Sequence, residues 1–175
     1  MKKLLFILSA GAFCFFTSCS SKNEGGMSDK AKKNLESSHA VNKAFETGDI
    51  SGIDNAIASD FVDHTDRGDM GRDSLKAMIT MMHATMKDMK MGVIKELADD
   101  DYVFSHMRFT GTSDGSMGMP KGPYDMQAIE VVKFKDGKGV EHWTFMQVSD
   151  MMKMMGNPQN SMPMTDTAKK MENKM

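Results

Sequence analysis

The apolar positions change rhythm once along the chain. From Ser28 to Thr47, residues Ala31, Leu35, Ser38, Val41, Ala44 and Phe45 recur near helical spacing, which predicts a helix capped by Ser28 and ended by Gly48. Asp49 to Ser59 carries Ile50, Ile53, Ala56 and Ile57 behind an aspartate cap and reads as a second, short helix. Phe61 to Thr65 is a brief extended piece, and Asp66-Arg67-Gly68-Asp69 turns the chain. Arg72 to Met89 then shows the clearest stripe, Leu75, Met78, Ile79, Met82, Met86 and Met89, and predicts one long helix. After Gly92 the period falls to about two, giving strands over Gly92 to Ala98, Asp101 to Thr112, Tyr124 to Lys135 and Val140 to Ser149. The breaks are Asp99-Asp100, the Gly- and Pro-containing Ser113 to Pro123, and Asp136-Gly137-Lys138-Gly139, whose Asp-Gly pair favours a hairpin. Helices followed by consecutive antiparallel strands predict an α+β domain whose helices cover one face of a curved sheet.

Composition adds where this domain sits. The 175 residues carry a net charge of −2 and no basic stripe, which fits one domain with tails and excludes nucleic acid as a partner. Lys2-Lys3 precedes an apolar run from Leu4 to Phe16, shorter than the roughly 20 residues that span a bilayer. The run ends in Phe16-Thr17-Ser18-Cys19, which resembles a bacterial lipobox with phenylalanine where leucine is commonest. The resemblance implies a signal peptide over residues 1–18, lipidation of Cys19, and a place in the bacterial cell envelope, at the outer membrane on its periplasmic or surface side. Residues 19–27 then form a polar tether, 28–156 the domain, and 157–175 a tail whose prolines and aperiodic methionines read as disordered. With Cys14 removed and Cys19 acylated, no cysteine remains for a disulfide, a zinc cluster or a nucleophile.

The order of segments and four local motifs resemble the SnoaL-like polyketide cyclases of the nuclear-transport-factor-2-like superfamily. The motifs are Asp63-His64 before the long helix, Gly111-Thr112, the Asp136-Gly137-Lys138 hairpin, and Val140-Glu141-His142-Trp143 on the last strand, within about residues 30 to 156. The resemblance implies a cone-shaped, cystatin-like curved antiparallel sheet of about four to six strands wrapped by the N-terminal helices. It also implies an acid/base aspartate four residues after the tryptophan, where this chain has Gln147, and a histidine after Gly-Thr, where it has Ser113. An amide exchanges no proton near neutrality, so acid/base chemistry at position 147 is lost while hydrogen bonding remains.

Strand alternation puts Glu141, Trp143, Phe145 and Gln147 on one face, which the resemblance points into the cone, and His142 and Thr144 on the other, an outer face suited to a homodimer. The expected pocket lining is His64, Met82, His106, Tyr124, Trp143, Phe145 and Gln147, for a small, mainly apolar ligand. No cofactor is expected. No catalytic residue is assigned; His64 and Glu141 are the candidates if the chain is a cyclase, isomerase or lyase on a small carbonyl compound, and the glutamine favours binding over turnover. Asp150 is read as the cap of a terminal helix over Met151 to Met155. The 22 methionines admit a further reading, soft thioether ligation of Cu(I) or Ag(I), against adaptable packing and a repeat-free spacing that assigns no metal site.

Overall fold

A computed structural model describes residues 26–155. The expected signal peptide, Cys19, most of the tether and the tail lie outside the described residues. Four helices, α1 (Asp29–Thr47), α2 (Ile53–Ala56), α3 (Arg72–Thr85) and α4 (Val148–Met154), accompany six strands. The strands are β1 (Ile57–Thr65), β2 (Gly68–Met70), β3 (Met86–Ala98), β4 (Tyr102–Ser113), β5 (Gly122–Lys135) and β6 (Lys138–Met146). They form one sheet in the order β2-β1-β6-β5-β4-β3, with β1 and β6 parallel and every other pair antiparallel. This is the α+β class the rhythm of the chain predicts.

The helix ends follow local chemistry. The Ser28 hydroxyl accepts the Ala31 N–H at 3.0 Å, and Gly48, at φ 73°, closes α1 in the left-handed conformation that costs glycine little. Between β5 and β6, Asp136 and Gly137 have φ of 54° and 78°, the paired positive values of a two-residue hairpin turn. Helix α1 is tied across the sheet at this end: buried Asn34 donates to the Asp99 and Asp100 carbonyls, both at 3.1 Å, and Ser37 donates to the Gly137 carbonyl at 2.7 Å.

Three elements differ from expectation. The second helix is one turn, Ile53–Ala56, and the chain is already extended at Ile57, because Ile57 and Phe61 bury as part of β1. Helix α3 stops at Thr85, so Met86 and Met89 belong to β3. Their spacing imitates a helix because the β3–β4 register shifts between Lys87 and Lys90, with Asp88 at φ 53°; this irregularity puts both methionines on the buried side. The last strand ends at Met146, and α4 begins at Val148. Gln147 occupies the N-cap position without a capping hydrogen bond, whereas Asp150 sits in the first turn and accepts the Gln127 N–H at 3.2 Å.

Two clusters make up the core. Around α1, α2, α3 and β1, buried Ala44, Ile53, Ile57, Phe61, Leu75 and Ile79 pack together. Beside them lies a cluster of Met86, Met89, Met119 and Met126, joined by half-buried Met82, Met117 and Met154. Tyr124 packs here as well, and Gly111 makes room for it: a Cβ at that position would meet the Tyr124 hydroxyl at 2.6 Å.

Candidate active site

The inner face of the sheet, with α1, α3 and α4, encloses a cavity of about 630 Å³. Ten of its thirty lining residues are methionines, so a third of its wall is soft and adaptable. Set into that wall is a polar group that strand pairing assembles. On β1, Asp63 lies two residues after buried Phe61 and faces the same side; its pairing partner on β6 is His142, whose other neighbour, Val132, is two residues past Glu130 on β5.

The result is an imidazole held at both nitrogens by acids. His142 Nδ1 is 2.8 Å from Asp63 Oδ1, and His142 Nε2 is 2.5 Å from Glu130 Oε2. The Thr144 hydroxyl donates to the same Glu130 oxygen at 2.9 Å. Asp63 is only 5% exposed. Burial pushes the His142 pKa down, but the hydrogen bonds and charges of Asp63 and Glu130 outweigh it and raise the value to about 9. The ring is therefore a cation at neutrality, donating from both nitrogens. Among the described residues, Glu130 Oε1 and Asp63 Oδ2 have no hydrogen-bond partner.

The polar positions continue across the sheet. Glu96, Ser105, Glu130 and Thr144 are successive cross-strand partners on β3, β4, β5 and β6. Ser105, 3% exposed and lining the cavity, donates to Glu96 Oε1 at 3.1 Å, while Glu96 Oε2 meets His39 Nε2 of α1 at 2.7 Å. Chemically, the cavity offers a mainly apolar volume with two unpartnered carboxylate oxygens, Glu130 Oε1 and Asp63 Oδ2, an adjacent hydroxyl, and a fixed cation that stabilises negative charge.

This arrangement reverses the expected facing of β6. His142, Thr144 and Met146 line the cavity; Trp143, Phe145 and Gln147 do not. Phe145 is 59% exposed on the outer face, and Trp143 stacks on the His64 ring with centroids 4.8 Å apart. The reason is that both faces of this strand carry large side chains, so alternation fixes the pairs but not which set faces inward; the register with β1 and β5 decides. Trp143 and Phe145 accordingly share the outer face with exposed Leu97, Phe104 and Ile129.

Of the other expected lining residues, Met82 is in the cavity wall. His64 stands at its rim, where its ring reaches away to Asp69 Oδ1 at 3.0 Å and Glu141 Oε2 at 3.3 Å. Burial lowers the His64 pKa, and the Asp69 and Glu141 hydrogen bonds raise it to a net increase. Glu141 is held below its ordinary range by hydrogen bonds from Lys133, at 2.6 Å, and His64. The two catalytic candidates thus meet at the rim of the cavity, which His64 lines and Glu141 does not. His106 lies on the outer face against Gln127 at 2.8 Å. Gln147 borders a separate polar hollow with Arg108, Asp125, Asp150 and Lys153. Tyr124 faces inward onto the methionine cluster, outside the cavity, with its hydroxyl buried and unpartnered among the described residues; burial pushes its pKa up.

Sequence reasoning did not single out Glu130, Ser105 or His142 for the site, and reached Asp63 only through Asp63-His64. The available sign was a charge inside an apolar run: Glu130 interrupts Ala128-Ile129 and Val131-Val132, a position a half-buried strand tolerates only with a partner.

A cavity between an open curved sheet and N-terminal helices, with polar groups on the inner face, defines a cone-shaped α+β fold. The model of the SnoaL-like polyketide cyclase family matches residues 37–155, and the chain belongs to that family. No curated protein matches it. Among solved structures, TsrD from Streptomyces laurentii is 19% identical, with a TM-score of 0.63 over 71% of this chain and 96% of that one. AclR from Streptomyces galilaeus, a candidate hydroxylase, is 20% identical, with a TM-score of 0.63 over 82% and 92%. IdmH from Streptomyces antibioticus, a candidate polyketide cyclase, is 24% identical, with a TM-score of 0.59 over 70% and 98%. At these identities the likeness speaks for the fold alone.

Proposed function

We propose that the cone takes up a small, mainly apolar carbonyl compound and moves a proton on it, as a cyclase, isomerase or lyase would. The observation that carries this reading is His142 fixed between Asp63 and Glu130 in the wall of a mainly apolar cavity. Glu130 is the base, its second oxygen accepting a proton from the carbon next to the carbonyl. The His142 cation and the Thr144 hydroxyl keep that carboxylate ready and offset the charge that develops as the proton leaves. Asp63 is a positioning residue that fixes the ring. Gln147, outside the cavity, takes no part, so its amide does not bear on the chemistry here.

The test is turnover on a panel of enolisable ketones and esters. Glu130→Gln should abolish it while leaving ligand uptake intact, and Gln147→Ala should leave it unchanged. A Glu130→Gln variant as active as the parent would overturn the assignment. The methionine lining favours a second reading, binding without turnover. It would be supported by saturable uptake of a molecule retained through purification, identified by mass spectrometry, with no product from any panel member.

The same reading places the domain at a membrane through lipid on Cys19. Incorporation of labelled palmitate that is lost in Cys19→Ala is the expected result. The exposed outer face would carry a homodimer, to be checked by sedimentation of the parent against Phe145→Ser.

A further inference from the structure

The methionines are concentrated in one region. Seventeen lie among the described residues; ten line the cavity, and Met86, Met117, Met119 and Met126 of the adjoining cluster make fourteen. The remaining three, Met27, Met81 and Met152, are exposed. The aliphatic cluster, by contrast, contains Met78 alone. If methionine simply stood in for leucine throughout the chain, both clusters would share it. They do not, so the thioethers gather for something other than volume.

Three of them belong to both groups at once. Met82 of α3, Met89 of β3 and Met154 of α4 pack in the methionine cluster and also line the cavity. They come from three separate elements, and all three pack in or against the same cluster and line the same cavity, so the tertiary fold, not a sequence repeat, gathers them there. A thioether is a soft, uncharged donor with no proton to lose, and it selects a soft monovalent ion over Mg²⁺, Ca²⁺ or Zn²⁺. An ion of single charge also loses less hydration on entering an apolar wall than a divalent one would. Among the described residues no group of three or more His, Cys, Asp or Glu side chains is arranged to hold a metal, so no harder site competes there.

We propose that Met82, Met89 and Met154 form a three-thioether site for Cu(I) at the methionine end of the cavity. It is independent of proton transfer at Glu130, so the Glu130→Gln variant should bind the ion as the parent does.

The experiment is calorimetric titration of the full chain with Ag(I), the redox-inert probe for Cu(I), repeated with Cu(I) under reducing conditions against a chromogenic chelator. One saturable site is expected. The Met82→Leu/Met89→Leu/Met154→Leu variant, which conserves volume, should lose it, while the methionines of the tail remain in place. Methionine methyl resonances supply a second measurement that needs no variant: on adding Ag(I), those of Met82, Met89 and Met154 should shift most. Absence of saturable binding, unchanged binding in the triple variant, shifts confined to other methionines, or equal binding of Zn(II) would each overturn the proposal.

Discussion

At one end of the core, where α1, α2 and α3 meet β1, the packing is aliphatic, with Ile53 and Ile79 at 1% and 0% exposure. At the other, where α3 and α4 meet β3 and β5, it is built of methionine. Both ends are buried, yet they differ in stiffness. Branched aliphatic side chains have few rotamers and fix the helices on β1, whereas methionine has three rotatable bonds and fills irregular space without defining it. The polar group of Asp63, His142 and Glu130 lies where β1 pairs with β6 and β6 with β5. Strand β1, packed in the aliphatic end, carries Asp63 of that group, while methionines of the other end line the cavity.

Substitutions can break or sharpen this comparison. The largest effect is expected at the polar group: Asp63→Ala leaves the His142 cation buried with one partner and should cost about 3–5 kcal/mol in urea denaturation near pH 6. Next, Ile79→Ala at the rigid end should cost about 2–5 kcal/mol, the loss of a fully buried side chain in a well-packed site. The third effect is on pH. The folded His142 pKa of about 9 lies above its ordinary 6.5, so its contribution is fully present below pH 6.5 and is lost as pH rises through 9. That loss amounts to at most roughly 3 kcal/mol. Melting temperature should therefore fall over this window and flatten in His142→Gln; a His64→Gln background removes the smaller contribution of the same sign at the rim. Smallest of all, Met126→Leu at the adaptable end should change stability by less than about 1.5 kcal/mol. If Met126→Leu cost as much as Ile79→Ala, the two ends would not differ in the way described.

Legibility in the sequence followed the range of the interaction. Helix α1 was visible at both ends because Ser28 and Gly48 act within one turn of themselves, and the Asp136-Gly137 hairpin because two adjacent residues decide it. The helix reading of Met86 and Met89 failed because a register shift on β3 places residues three apart on the same side of a strand. The expected facing of β6 failed for a related reason: Trp143 and Phe145 looked like the apolar inner set, and nothing local reveals that His64 and solvent cover them.

By itself the sequence determined the class of the domain, its first helix and its hairpin turn, which rest on periodicity and short-range chemistry, and four local motifs carried the resemblance to the family. Only the tertiary structure decided which face of β6 turns inward, because that depends on pairing with β1 and β5, strands at very different distances along the chain. The same long-range pairing brought Asp63, Glu130 and His142 within hydrogen-bonding distance and gathered the methionines at one end, and no pattern along a single strand records either.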